Sequence, residues 1–163
     1  MLSEAQIKRA WEGMLAAEIR SNYFAELAHG YSTQQRKVTW GTLLFSSGAV
    51  ATTLGALPTE IAWAKFVLPL GAAALSLYSL VQQNQKRSTD AADLHFRWNK
   101  LARDYERLWE NVYGDEAESI LNSLSDRAAE LSKSSTAFPN DEKALLKWQM
   151  HVENHHGVLQ PQS

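Results

Sequence analysis

The sequence predicts an all-α integral-membrane fold, in which a two-transmembrane helical hairpin is combined with an N-terminal amphipathic helix and long cytoplasmic helices. Two apolar stretches of about twenty residues predict the hairpin. Apolar residues at helical spacing predict the other helices, and no alternating strand pattern occurs. The expected parts are an N-terminal cytoplasmic or interfacial helix at 1–37, the hairpin at 38–81, a cytoplasmic helical region at 88–156 and a frayed tail at 157–163.

The N-terminal helix is predicted from Ile7, Trp11, Met14 and Ala17, which recur at steps of three and four. Such spacing places the four side chains on one face of a helix. The pattern continues through Tyr23, Phe24 and Leu27, and Gly30 is the expected stop. This helix can pack on the cytoplasmic helices or lie on lipid headgroups.

The hairpin is predicted from residues 38–57, which carry no charge, and residues 61–81, whose only charge is Lys65. A helix of about twenty residues spans roughly 30 Å, which matches the hydrocarbon core of a bilayer. Lys65 lies near one end of its stretch, where a long side chain can reach the interface. The connection at 58–60 is so short that the two helices must be antiparallel neighbours. The alternative is a hairpin buried inside a soluble helical bundle.

The orientation is predicted from basic residues, which favour the cytoplasmic side of a membrane. Arg36 and Lys37 precede the first stretch, Lys86 and Arg87 follow the second, and the connection carries only Glu60. The sequence therefore places the protein in a bacterial inner membrane with both termini in the cytoplasm.

Polar residues at helical spacing mark one face of each stretch. In one interpretation they line the water-filled pore of a homo-oligomer; in the other, small and hydroxylated side chains only allow helices to pack closely. The pore-lining candidates are Thr42, Ser46, Thr53, Lys65, Ser76 and Ser79. The helix-packing candidates are Gly41, Gly48 and Gly55, which are spaced by heptads.

The cytoplasmic region begins with an apolar seam at alternating steps of four and three, typical of core packing or of oligomerisation. The seam consists of Leu94, Trp98, Leu101, Tyr105, Leu108 and Val112. It predicts a helix of roughly 24 residues that ends at Gly114. A second helix is expected over about 115–134 as its antiparallel partner. Asn140 or Asp141 should cap a third helix that reaches about Glu153.

The composition excludes several kinds of chemistry. The chain has 163 residues, a net charge of −2 and no cysteine. Length supports one domain, mixed charge argues against a nucleic-acid partner, and the lack of cysteine excludes disulfides, thiol nucleophiles and iron–sulfur ligation. Neither a phosphate-binding glycine loop nor a nucleophile elbow is present. We therefore predict a protein that is not an enzyme, with no cofactor.

The histidines are the remaining candidates for chemistry. His151 and His155 lie one helical turn apart and are weak candidates for metal ligands. No third strong ligand is evident beside them, so no metal site is predicted. His29 and His95 are isolated, and each is expected to be an interface or seam residue rather than a catalyst.

The order of parts over residues 18–112 resembles the SLATT family of prokaryotic two-transmembrane effectors. The likeness rests on Arg20, Tyr23 and Phe24 before the hairpin, on the tight hairpin, and on a following helix with His95, Ala102, Tyr105 and Leu108. The resemblance implies an oligomeric pore-forming effector of anti-phage defence, which permeabilises the inner membrane on an infection-linked signal and causes growth arrest or cell death.

The resemblance also implies partners. These are the lipid bilayer, further copies of the chain, and either a nucleotide second messenger, such as a cyclic nucleotide, or a sensor protein. Unlike in better-marked family members, no nucleotide-binding domain is evident in this sequence. The main alternative is a membrane-anchored adaptor whose cytoplasmic helices recruit a partner protein such as a defence nuclease.

Overall fold

The structure is a computed structural model that describes residues 2–46, 70–71, 73–74, 76–78 and 83–157. Helix is the only regular secondary structure among these residues. The helices are α1 (Glu4–Ser46), α2 (Asn84–Glu110), α3 (Ala117–Ser135) and α4 (Glu142–His155). The described residues between 70 and 78 are also helical.

The predicted integral-membrane hairpin at 38–57 and 61–81 is wrong. Over the described residues, no helix is both long enough and apolar enough to cross a membrane. Residues 38–46 do not begin a separate apolar helix but complete the 43-residue α1. Before Val38 this helix carries nine charged side chains, and desolvating charges in hydrocarbon is costly. Residues 47–69 lie outside the described part of the chain.

The helix α1 continues through Gly30, where the sequence suggested an end. A Cβ atom added at Gly30 would meet nothing within 4 Å, so no tertiary contact requires glycine there. A single glycine in a helix costs only about 1 kcal/mol relative to alanine. Good helix formers one turn away, Glu26, Leu27 and Ala28 before it and Gln34, Gln35 and Arg36 after it, offset that cost.

The chain divides into two compact units. Unit 1 contains residues 1–27 and 90–163, and unit 2 contains residues 28–89. Both α1 and α2 contribute residues to each unit.

The core of unit 1 is built around the predicted seam of α2. All six seam residues, Leu94, Trp98, Leu101, Tyr105, Leu108 and Val112, are buried. Val112 lies in the turn after α2, which ends at Glu110 rather than at Gly114 as predicted. They are joined by Met14, Ala17, Tyr23 and Phe24 of α1 and by Leu121, Leu124 and Leu131 of α3. Side chains three and four residues apart share a helix face, so each helix presents a continuous apolar stripe to the core.

The close approach of α1 to the seam depends on Gly13. A Cβ atom added there would lie 2.7 Å from Cζ of Tyr105 and 2.9 Å from its Cε1. Tyr105 is 3% exposed, so its ring has little room to move. Glycine therefore allows the ring to pack directly on the α1 backbone.

The helix α4 is capped and attached mainly by polar contacts. The predicted cap at Asp141 is confirmed, because its Oδ1 accepts hydrogen bonds from the backbone nitrogens of Lys143 and Ala144 at 3.0 and 3.2 Å. Lys147 Nζ donates to both carboxylate oxygens of Glu26 at 3.0 Å, and Trp148 Nε1 donates to Glu26 Oε2 at 2.6 Å. Glu26 thus joins α1 to α4 within unit 1.

Glu26 should make the stability of unit 1 depend on pH. Hydrogen bonds from Lys147 and Trp148 lower the pKa of Glu26. A depressed folded-state pKa contributes stability above the unfolded pKa of about 4.3, and this is lost as pH falls. We expect Glu26→Gln to lower the melting temperature at pH 7 and to have little effect at strongly acidic pH.

The expected contribution is below about 1 kcal/mol, since an exposed pair is screened by solvent. Thermal unfolding followed by circular dichroism measures it. Glu110→Gln is the control, because among the described residues Glu110 is exposed and forms no ion pair. An equal loss for Glu26→Gln at both pH values would contradict the assigned ion pair.

Candidate functional site

The pore-lining candidates are only partly within the described residues. Thr42 Oγ1 donates to the carbonyl oxygen of Val38 at 3.0 Å, within its own helix. Ser76 is exposed. Ser46 ends α1, but its side chain lies outside the described part, as do Thr53, Lys65 and Ser79. Their pore-lining role stays a prediction.

The other predicted contact residues are placed as follows. Gly41 is half-buried in α1, whereas Gly48 and Gly55 lie outside the described residues. The seam of α2 forms the core of unit 1, and its predicted role between subunits stays a prediction.

The histidines contact aromatic and polar neighbours. His151 packs edge-on against Trp148 with ring centroids 5.4 Å apart, and His155 packs against His156 at 5.2 Å. Over the described part of the chain, no group of three or more His, Asp or Glu residues could hold a metal ion. His95 Nδ1 lies 2.9 Å from the carbonyl oxygen of Ser21, so it joins α2 to α1 as expected of a seam residue. His29 is exposed.

His156 has a structural role that the sequence did not reveal. Its Nε2 lies 2.8 Å from Glu18 Oε2, and its ring meets Trp11 edge-on at 5.5 Å. The sequence singled out only His151 and His155, next to the expected frayed tail. Nothing local in the sequence could have identified a partner 138 positions away.

Four cations mark the described surface of unit 2. Arg36 and Lys37 on α1 and Lys86 and Arg87 on α2 are all exposed. None of them forms an ion pair with another described residue. In sequence, unit 2 contains five basic residues and one acidic residue, while the rest of the chain contains eleven and seventeen. The chain's small net charge therefore conceals a basic unit 2 and an acidic unit 1.

A cavity of about 340 Å³ lies beside Arg36. It is lined by Ser32, Gln35, Arg36, Thr39, Trp40, Gln85, Ser88 and Thr89. Ser88 Oγ donates to the carbonyl oxygen of Ala28 at 3.0 Å, which joins α2 to α1 within this unit. Hydroxyl, amide and guanidinium groups are suitable hydrogen-bond donors for the oxygens of a phosphate group.

Exposed apolar side chains follow the cations along α1. Trp40 is 62% exposed, Leu43 is 56% exposed and Leu44 is 65% exposed. At 1.5 Å rise per residue, Leu44 lies about 12 Å beyond Arg36 along the helix axis. Leu70 and Leu77 are exposed as well. We call Arg36, Lys37, Trp40, Leu43, Leu44, Lys86 and Arg87 the basic–apolar surface.

No family model, curated protein or solved structure matches this chain. The resemblance to the SLATT family, together with the pore-forming activity and anti-phage role that it implies, therefore stays a prediction.

Proposed function

We propose that this chain is a helical adaptor that attaches to an anionic lipid surface through the basic–apolar surface of unit 2. The observation that carries the proposal is the presence of four exposed cations and exposed Trp and Leu side chains in one unit. Unit 1, with its own packed core, then remains available to bind another molecule. A conducting pore would require segments that cross the bilayer, whereas attachment at the headgroups does not.

The cations supply the electrostatic part of the attachment. Each Lys or Arg close to an anionic bilayer contributes about 1 kcal/mol. The described residues of unit 2 include no Asp or Glu that could compete for them. The same anionic surface repels the acidic unit 1, which confines attachment to unit 2.

The apolar side chains supply the second part. Fully burying a large apolar side chain is worth roughly 1.5–3 kcal/mol relative to leaving it in water. Tryptophan favours the depth of the headgroups, and leucine favours the acyl chains. Arg36, Trp40 and Leu44 follow one another along α1, in the same order as the depths that their side chains favour, from the charged headgroups to the acyl chains.

The combination favours lipid over the other partners that a basic surface attracts. The phosphates of a nucleic acid could bind the cations and its bases could stack on Trp40, but it would gain no favourable contact with the exposed leucines. The core of a protein interface is depleted in charged residues, and lysine in particular is under-represented there. Of these partners, only an anionic lipid surface binds both the cations and the apolar side chains of the basic–apolar surface.

Vesicle binding tests the proposal. The purified full chain is sedimented with vesicles of phosphatidylcholine alone or of phosphatidylcholine and phosphatidylglycerol in equal parts. We expect tighter binding to the anionic vesicles. Neutralising Arg36, Lys37, Lys86 and Arg87 together to Gln should weaken that binding on the order of a thousandfold, because four contributions of about 1 kcal/mol are lost.

The matched control neutralises four exposed basic residues of unit 1, Arg9, Lys100, Lys133 and Lys143. This variant has the same net charge as the test variant but keeps the four cations of unit 2, so it should bind far more tightly than the test variant. Equal weakening in both variants would show a non-specific charge effect and refute the proposal. Binding to single-stranded RNA but not to anionic vesicles would also refute it.

The apolar half is tested by Leu44→Ser. Leu44 is 65% exposed in unit 2, and Leu146, its control, is 55% exposed in unit 1. Removing one exposed leucine should weaken vesicle binding about tenfold, as expected for roughly 1.4 kcal/mol of lost burial. Leu146→Ser should leave it unchanged. If the two variants behave alike, Leu44 does not enter the lipid.

A further inference from the structure

A half-buried arginine in unit 1 faces a cavity that the attachment to lipid does not use. Arg20 lies on α1 with its guanidinium carbon 4.9 Å from the ring centroid of Trp98. Its Nη1 donates to Ser132 Oγ at 2.9 Å. The stacking and the hydrogen bond hold the guanidinium between α2 and α3 in a fixed position.

The guanidinium has no carboxylate partner within the described part of the chain. Burial lowers the pKa of Arg20, and no acidic neighbour opposes this effect. Cations removed from water are normally paired, because an unpaired buried charge is costly. The cation–π contact and one hydroxyl compensate for this cost only in part.

The cavity beside Arg20 has a volume of about 440 Å³, within the range of small-molecule sites. Its lining residues are Arg20, Tyr23, Phe24, Ser132, Ser135, Thr136, Phe138, Pro139, Asn140 and Leu145. Phe24 meets Phe138 edge-on with centroids 5.5 Å apart. The cavity therefore combines a fixed cation with aromatic walls.

Several polar neighbours of Arg20 are occupied by the protein itself. Ser135 Oγ accepts from Trp98 Nε1 at 3.2 Å and donates to the carbonyl oxygen of Leu131 at 2.8 Å. Thr136 Oγ1 donates to the carbonyl oxygen of Lys133 at 2.7 Å. A guanidinium has five N–H donors in a planar fork, and the bond to Ser132 uses one. The remaining donors of Arg20 are suited to a carboxylate or phosphate.

We propose that the Arg20 cavity binds a small organic anion, namely a carboxylate or phosphate ester attached to a flat apolar ring. The anionic group forms charge-assisted hydrogen bonds with Arg20, and the ring packs against Phe24 and Phe138. This site lies within unit 1 and does not depend on the attachment of unit 2 to lipid. The same chemistry can come from a free small molecule or from a protein's C-terminal carboxylate beside an aromatic residue.

Calorimetric titration with phenylphosphate tests the site. We expect saturable binding, with weaker binding of inorganic phosphate, which lacks the ring, and of benzyl alcohol, which lacks the charge. Arg20→Met should weaken phenylphosphate binding at least about tenfold, because this is the usual loss when a charge-assisted hydrogen bond is removed. Arg9→Met is the control, because Arg9 is an exposed arginine on the same helix.

A second measurement does not depend on the folding of the Arg20 variant. In the original chain, phenylphosphate should shift the nuclear magnetic resonance signal of the Trp98 indole N–H. Phe138→Ala should weaken the binding of phenylphosphate more than the binding of inorganic phosphate. A short peptide ending in phenylalanine, with a free or an amidated C-terminus, separates the two sources. If only the peptide with a free C-terminus binds, and binds more tightly than phenylphosphate, the natural ligand is a protein C-terminus.

Two outcomes would overturn the proposal. One is the absence of phenylphosphate and peptide binding to the original chain at millimolar concentration. The other is equal binding by the original chain and by a folded Arg20→Met variant, which would place the ligand elsewhere.

Discussion

Replacing Leu101 with alanine is expected to lower the free energy of unfolding of unit 1 by about 2–5 kcal/mol. Leu101 is 0% exposed and lies at the centre of the α2 seam. The substitution removes buried methyl groups and leaves a cavity. The surrounding helices can fill this cavity only by shifting. Such a loss is a large fraction of the roughly 5–15 kcal/mol that stabilises most domains.

Urea unfolding followed by circular dichroism measures this loss as a lower midpoint. Leu146→Ala is the control, because Leu146 is also a leucine in a helix of unit 1 but is 55% exposed. Its effect should stay within about 0.5 kcal/mol, as for most surface positions. Similar midpoints for the two variants would show that Leu101 is not in a packed core.

Replacing Gly13 with alanine is expected to destabilise unit 1, although alanine is the better helix former. The added Cβ would come within 3 Å of two ring atoms of the buried Tyr105. Overpacking of this kind costs about 1–3 kcal/mol, whereas the gain in helix propensity is about 1 kcal/mol. The ring of Tyr105 is rigid, so the clash should outweigh the gain, with a net loss of up to about 2 kcal/mol.

Gly30→Ala is the control, because Gly30 belongs to the same helix and its added Cβ would meet nothing within 4 Å. Here only helix propensity changes, and the variant should be more stable by about 0.5–1 kcal/mol. Thermal unfolding should therefore shift in opposite directions for the two variants. A stabilising Gly13→Ala would contradict the close contact between α1 and Tyr105.

The helices of unit 1 could be predicted from the sequence because their apolar residues repeat with the helical period. All six predicted seam residues are buried, five of them in α2, and the cap at Asp141 is formed. Boundaries were less accurate. The helix α2 begins at Asn84, whereas the apolar spacing placed its start near Asp90. The first residues of the helix are polar and carry no periodic signal, so the sequence did not reveal them as helical.

The integral-membrane interpretation failed because it treated residues 38–57 as a helix of their own. Hydropathy alone does not show that residues 38–46 continue a helix that begins at Glu4. The basic residues used to orient the hairpin remain informative, since Arg36, Lys37, Lys86 and Arg87 are exposed in unit 2. Their presence could be read from the sequence, whereas their exposure could not.

The Arg20 cavity could not be derived from the sequence. Arg20 and Ser132 are 112 positions apart, and no local pattern indicates that they meet. The one available signal was an arginine close to two aromatic residues, Tyr23 and Phe24, on the buried face of a helix. That signal fits a structural arginine equally well, and only the position of Phe138 and Pro139 beside it reveals a cavity.

The way α4 is attached has a consequence for amide hydrogen exchange. Over its full length, Glu142–His155, Val152 is the one buried residue. The ion pair of Lys147 with Glu26 and the contact of His156 with Glu18 provide much of the remaining attachment of α4. Its amides should exchange through local opening, at a lower free energy than those of α2, and faster at high salt. Because Leu145 of α4 lines the Arg20 cavity, any anion held there should slow this exchange in proportion to its affinity.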